Sequence, residues 1–287
     1  MLRLGIKWLY LASLLCQTPL GVLHAQNPPP FVTAKLMGQL GNQLFIIAAT
    51  VSVALDHGAT PIFPDLTQNK DWKIPVNYEK LFHSLPVQLP RAASLTYREP
   101  RFSYEPIPYQ PNMELSGYFQ SEKYFFHHKQ EILELFAPPA DVMAYLSLRY
   151  AEIVAHPMTV SVHVRFYHED PTGKAHPTCC RNYFEKAIQS FPEDALFVVF
   201  SNQMEACKTL LSGLHKNLRF IEGEDHFCDL YLMSLCKHNI IANSSFSWWG
   251  AYLNRNPDKQ VIAPKPWFNP AYLSDTKDLL PEGWIQI

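Results

Sequence analysis

Two hydrophobic periods share this chain. Thr159-Val-Ser-Val-His-Val-Arg165 alternates with period two, the mark of a strand, and 195–201 is a continuous apolar run. Shorter runs of the same kind occur at 217–222, 239–242 and 260–263. Between them, 182–190, 203–214, 227–238 and 246–255 carry apolar residues at helical spacing. Strands alternating with helices of about ten residues predict βαβ units and a parallel sheet.

The N-terminal part opens in the same way. Residues 31–36 read as a strand and Gly38-Gln-Leu-Gly-Asn-Gln43 as a glycine-rich loop. Residues 44–55 read as a helix that stops at Asp56-His57-Gly58, with 59–63 as the next strand. Residues 64–115 are rich in proline and aromatics with weak periodicity, which predicts loops, turns and short helices. Helical patterns return at 130–136 and 141–153. In a parallel sheet, ligands bind beyond the carboxyl ends of the strands. That rule selects the loops after Arg165, Ser201 and Ala242, with the 38–43 loop facing them across a cleft.

Composition narrows the class. The chain has 287 residues, 47% hydrophobic and 17% charged, too apolar for disorder and too long for one small core. Lysine and arginine number 24 against 26 acids, which argues against a nucleic-acid binder. Residues 1–25 start basic, run apolar through Trp8–Cys16 and end at His24-Ala25, the pattern of a signal peptide cut after Ala25. The alternative is an uncleaved anchor, although the unbroken apolar run is well short of the ~20 residues a spanning helix needs. Export or membrane association through the N-terminus is therefore expected, with the cytoplasmic face of a membrane as the alternative. The leader holds Arg3 and Lys7 and no acid, so its removal takes the formal charge from −2 to about −4. Cys16 leaves with it. Cys179, Cys180, Cys207, Cys228 and Cys236 remain, with no CxxC spacing, and most read as buried thiols with room for one bridge after export.

Three features carry candidate chemistry. Asn243-Ser-Ser-Phe-Ser-Trp-Trp-Gly250 opens a helix at a strand end, where free backbone N–H groups and hydroxyls form an anion site. A plain helix cap with Trp248 and Trp249 in the core explains the same residues. Asn243 also begins a glycosylation sequon, but a buried strand-to-helix junction is a poor acceptor. His163 and Arg165 share a strand face, and an arginine at a strand end suits a phosphate. The plainer alternative is a salt-bridging arginine beside a core histidine. Gly38–Gln43 matches neither GxGxxG nor a P-loop, yet its glycines permit close backbone approach to a ligand.

Together these runs resemble the glycosyltransferase family 11 α-1,2-fucosyltransferases. Residues 229–254 are close to that family's most distinctive run, Gly38–Gln43 is similar to its Gly-Gly-Leu-Gly-Asn-Gln, and His163-Val-Arg165 matches its His-x-Arg. Tyr183–Ile188 and Pro264–Phe268 also look like the family. The resemblance implies an α/β, GT-B-like two-lobed fold with Rossmann-like parallel sheets. Residues 31–155 would form the N-terminal, acceptor-side lobe and 156–287 the lobe that binds GDP-fucose. It implies inverting transfer of L-fucose from GDP-fucose to the 2-hydroxyl of a terminal galactoside, with no metal or other cofactor. The absence of Asp-x-Asp, and of any His/Cys cluster at metal spacing, agrees with that. On this resemblance Arg165 meets the diphosphate and stabilises departing GDP, and Ser244, Ser245, Phe246 and Ser247 supply further donors. His163, Ser201 and Asn202 lie by the nucleotide, and Gly41, Asn42 and Gln43 close over it from the other lobe. The partners are the GDP-fucose donor and a galactose-terminated acceptor.

There are departures from the family. Its second arginine is Phe166 here, and its Phe-Ser-Asp-Asp is Phe200-Ser-Asn-Gln203. A leader is also unexpected for an enzyme whose donor is cytosolic. His168, Glu169, Asp170 and Asp225 are candidates for the general base by loop position only. The departures keep open a degenerate, non-catalytic module that binds glycan or nucleotide. A secreted glycosidase or an α/β domain without catalysis explains less, because no carboxylate pair stands out.

Overall fold

The computed structural model describes residues 29–167, 175–272 and 274–287. The expected leader at 1–25 and the base candidates His168, Glu169 and Asp170 lie outside the described residues. Among those described, no helix is long and apolar enough to cross a membrane.

The chain opens with β1 (Phe31–Ala34), α1 (Leu40–Asp56) and β2 (Thr60–Ile62). Short helices α2 (Asp65–Gln68) and α3 (Ile74–Asn77) follow, and a wide turn at Tyr78–Phe82 leads to β3 (Leu95–Arg98) and β4 (Met113–Ser116). These strands form a wholly parallel sheet in the order β2-β1-β4-β3. The two later strands fall in the stretch whose sequence predicted only loops, turns and short helices. Two 3₁₀ turns, Glu122–Tyr124 and Phe126–His128, lead into α4 (Lys129–Leu135), α5 (Ala140–Arg149) and α6 (Ala151–Ala155).

The second sheet is built from β5 (Thr159–Val164), α7 (Arg181–Ile188), β6 (Leu196–Ser201), α8 (Met204–Leu211) and β7 (Leu218–Phe220). It continues through α9 (His226–Leu235), β8 (His238–Ile240), α10 (Ser245–Tyr252), β9 (Val261–Ala263) and β10 (Ile285–Gln286). All six strands are parallel, in the order β10-β9-β8-β5-β6-β7. The chain runs outward from β5 to β7, then crosses back to β8 on the other side of β5. That reversal is a topological switch point, the place where open parallel sheets leave a crevice.

One core cluster joins helices of both sheets. Phe45 of α1 packs on Trp248 and Trp249 of α10, with ring centroids 4.4 and 5.1 Å apart. Phe125 stacks on Trp249 at 5.6 Å. These rings are fully buried, and burying one aromatic side chain contributes roughly 1.5–3 kcal/mol. The smaller second cluster lies between β5, β6, α7 and α8. Cys179, Cys180, Cys207, Cys228 and Cys236 are free thiols, so the bridge allowed by the sequence does not form among them. Burial pushes Cys207, Cys228 and Cys236 up to about 12, which keeps them protonated.

Candidate active site

The switch point brings the predicted loops together. β5 lies between β8 and β6, so the chain after Val164, after Ile240 and after Ser201 leaves the sheet side by side. Arg165 and the start of α10 flank the reversal itself. Arg165 follows β5 directly, half-buried, with its guanidinium carbon 5.3 Å from the centre of the Tyr167 ring. The Tyr167 hydroxyl donates to the Asn243 carbonyl, which ties the β5 loop to the β8 loop.

Asn243 itself is buried and gives both amide hydrogens to backbone, to Pro177 O at 2.7 Å and Trp267 O at 3.0 Å. It holds the loops around α10 together and is shut off from glycosylation. Ser244 is the N-cap of α10 in extended conformation, and no side chain caps the helix. The Ser247 hydroxyl donates back to Ser244 O at 3.3 Å, and the Ser245 hydroxyl donates to Asn42 Oδ1 at 2.7 Å. With the Ser245 and Ser247 hydroxyls engaged internally, backbone N–H groups of the first turn are the donors that α10 offers an anion, although Gly41 lies close against Phe246 N.

The opposite wall is the first turn of α1. Gly41, Asn42 and Gln43 belong to the helix, although the sequence read them as loop. Gly41 sits against the Ser245–Phe246 peptide, and a Cβ there would lie 2.5 Å from Phe246 N. Asn42 Oδ1 accepts from Ser245 Oγ and also from Gln120 Nε2, each at 2.7 Å. Gln43 is buried, donating to Gly38 O at 2.8 Å and Trp72 O at 3.0 Å and accepting from Asn77 Nδ2 at 2.6 Å. Asn77 Oδ1 in turn lies 2.9 Å from His226 Nε2. Gln43 therefore anchors the glycine turn instead of reaching into the cleft.

His163 is buried on β5, its ring 5.7 Å from that of Phe246, and its Nδ1 has no hydrogen-bond partner. Burial, and secondarily the Arg165 charge, lowers its pKa to about 3, so the imidazole is neutral through the physiological range. Ser201 Oγ accepts from Gln203 N at 3.1 Å, forming the turn that opens α8. Asn202 Oδ1 accepts from Phe166 N at 2.9 Å and its Nδ2 donates to Phe166 O at 2.8 Å. Asn202 thus braces the rim beside Arg165, while Ser201 braces the turn into α8. Asp225 caps α9, accepting from Phe227 N at 3.0 Å and Cys228 N at 2.8 Å with one oxygen.

The structure also reveals groups that sequence reasoning did not single out. Asn77, His226 and Gln120 connect the elements around the cleft, and no local spacing marks them. The site as a whole combines one arginine, one helix N-terminus and a neutral histidine. It suits a diphosphate held by a few placed donors.

Comparison with known proteins shows the family and the fold. Residues 92–287 match the model of glycosyl transferase family 11. The chain is 30% identical over 289 residues to an alpha-1,2-colitosyltransferase of Escherichia coli, covering 89% of this chain and 98% of that protein. It is 28% identical over 244 residues to galactoside alpha-(1,2)-fucosyltransferase 2 of Oryctolagus cuniculus, covering 77% of this chain and 66% of that protein. The solved fucosyltransferase NodZ from Bradyrhizobium superposes with a TM-score of 0.52 at 14% identity, over 78% of this chain and 92% of that one. That likeness concerns the fold, which is GT-B-like, with two Rossmann-like parallel sheets. With the family model covering more than half of its length, this chain belongs to glycosyltransferase family 11.

Proposed function

We propose that this glycosyltransferase moves L-fucose from GDP-β-L-fucose to the 2-hydroxyl of a terminal galactoside, with inversion and without a metal. The observation that carries the reading is the pairing of Arg165 with the uncapped first turn of α10 at the sheet's switch point. As the acceptor hydroxyl bonds to the anomeric carbon and loses its proton, the bond to GDP breaks and negative charge grows on the β-phosphate oxygen. A guanidinium fork and oriented N–H groups stabilise that charge more in the transition state than in the ground state. A neutral His163 beside them brings no charge of its own to the phosphates. The galactoside fucosyltransferase among the relatives supports the acceptor class, and a NodZ structure soaked with GDP-fucose supports the donor.

A second donor has its own support. The relative matched over 98% of its length is a colitosyltransferase. Colitose differs from fucose in lacking the 3-hydroxyl, so the same phosphate contacts serve both.

The test is calorimetry with GDP, followed by GDP release from GDP-fucose and GDP-colitose in the presence of lactose. Turnover with GDP-fucose supports the reading, and turnover with GDP-colitose alone reassigns the donor. Tight GDP binding without release on any galactoside would make the chain a binding module. We also propose that residues 1–25 direct export or hold the chain at a membrane. Mass spectrometry of the mature N-terminus tests the cleavage, and a chain that still begins at Met1 removes it.

A further inference from the structure

The far end of α1 holds a second cluster of functional groups. Asp56, its last residue, meets two histidines of the 3₁₀ turn before α4. Asp56 Oδ2 is 3.0 Å from His127 Nε2, and Asp56 Oδ1 is 2.8 Å from His128 Nε2. One ligand atom from each of the three residues lies within 4.8 Å of the other two. Along the helix axis, Asp56 is about 22 Å from Gly41 at 1.5 Å per residue, so the cluster stands apart from the cleft.

We propose that Asp56, His127 and His128 bind a divalent transition-metal ion of the zinc class. The donor set is two imidazole nitrogens and one carboxylate, which suits a borderline ion held by three protein ligands with solvent completing the shell. The two nitrogen–oxygen separations are a little shorter than the ~3.3–3.6 Å ligand–ligand edges of a tetrahedron with 2.0–2.2 Å bonds, so outward shifts of these side chains would admit the ion. The rings are 4.5 Å apart and tilted by 50°, so their nitrogens converge without stacking.

Two surrounding groups fit the same reading. Glu131 Oε1 lies 3.9 Å from His128 Nδ1, on the ring edge away from Asp56. That is the side from which a carboxylate orients a metal-bound imidazole. Ser52, one helical turn before Asp56, places its Oγ 3.3 Å from His127 Nε2 and adds an oxygen beside the site. His127 and Asp56 are substantially exposed, so an ion has access from solvent. In the bound state each ring presents an unprotonated Nε2 to the ion and carries its one proton on Nδ1. The ion would join the C-terminus of α1 to the segment that starts α4.

The rival is a simple carboxylate–histidine ion pair, and the two differ in how they respond to metal. An ion pair takes up no metal in stoichiometric amount, whereas a metal site does. The experiment titrates untagged, chelator-stripped full chain with ZnCl₂ against a chromophoric chelator, with Co²⁺ absorption as a probe of coordination. The expected result is one Zn²⁺ per chain and a rise in Tm that EDTA reverses. Glu131→Gln should weaken binding by about tenfold or more, and the His127→Gln/His128→Gln double variant should abolish it, with circular dichroism showing the fold retained. Absence of stoichiometric uptake at pH 7.5, or uptake undiminished in the double variant, would overturn the proposal. The readout is independent of GDP binding, so its failure and that of the transferase reading are separable.

Discussion

Gly41 and Phe246 meet backbone to backbone: a Cβ on Gly41 would stand 2.5 Å from the Phe246 nitrogen and 2.7 Å from the Ser245 hydroxyl. The obstacle is largely main chain, which does not rotate away. Gly41→Ala should therefore push the first turns of α1 and α10 apart. We expect a stability loss of about 1–3 kcal/mol in urea unfolding, typical of overpacking, together with weaker GDP binding in calorimetry. A variant that keeps both would show that the close approach is dispensable.

Arg165 supplies the only guanidinium among the described residues that flank the switch point. Arg165→Ala should keep the circular-dichroism spectrum and lose about 10²–10³-fold in transfer rate, the usual cost of deleting one donor to developing charge. Arg165→Lys should recover part of the rate, because it restores the charge but not the planar fork. Near-full activity in the alanine variant would remove Arg165 from the chemistry.

Asn202 offers a sharper test of the rim. Its amide both donates to and accepts from the Phe166 backbone. Asn202→Asp keeps the acceptor but turns a carboxylate towards the Phe166 carbonyl. We expect a loss of about 1 kcal/mol in denaturant unfolding and a lower transfer rate, because Phe166 follows Arg165 directly. An aspartate variant as stable and active as the parent would mean that this bracket does not hold Arg165.

Asp229 links stability to pH. Its Oδ1 is buried without a hydrogen-bond partner. Burial first, then the nearby charges of Glu224 and Asp225, raises its pKa from 3.8 to about 7. For an acid the fold resists ionising, the protonated form is the compatible one. Its penalty is absent below about pH 4, grows as pH rises towards 7 and is constant above. Asp229→Asn should therefore be more stable than the parent at pH 8, by a few kcal/mol at most, and the gain should vanish near pH 4. Thermal melts across that range decide it; parallel curves would contradict the assignment.

Much of this arrangement was legible because the C-terminal periods are unambiguous. The strand at Thr159–Val164 alternates cleanly, and the apolar spacing around Leu230 and Trp248 is helical. The strands Leu95–Arg98 and Met113–Ser116 were not legible. Each has four residues, the first is mostly exposed at a sheet edge, and both sit among prolines that break any period. Gly41 misled for a physical reason. Glycine usually marks a turn, whereas here it is a helical residue whose missing side chain admits another helix. Ser201 and Asn202 showed their residue types but not their partners, which are backbone groups of their own rim. The meeting of Asp56 with His127 crosses 71 residues, beyond any motif spacing.

The tryptophan pair on α10 also sets how this protein can breathe. Phe45 presses on Trp248 and Trp249 directly behind the turn where α1 and α10 touch. Swinging the two sheets apart would pull an aromatic plug into water, a costly motion, so entry to the cleft falls to the loops at its rim. A nucleotide lodged at that junction acts as a rivet between the halves. Its binding energy adds to the resistance of the whole chain to unfolding, so proteases should meet slower cleavage in both halves when GDP is present.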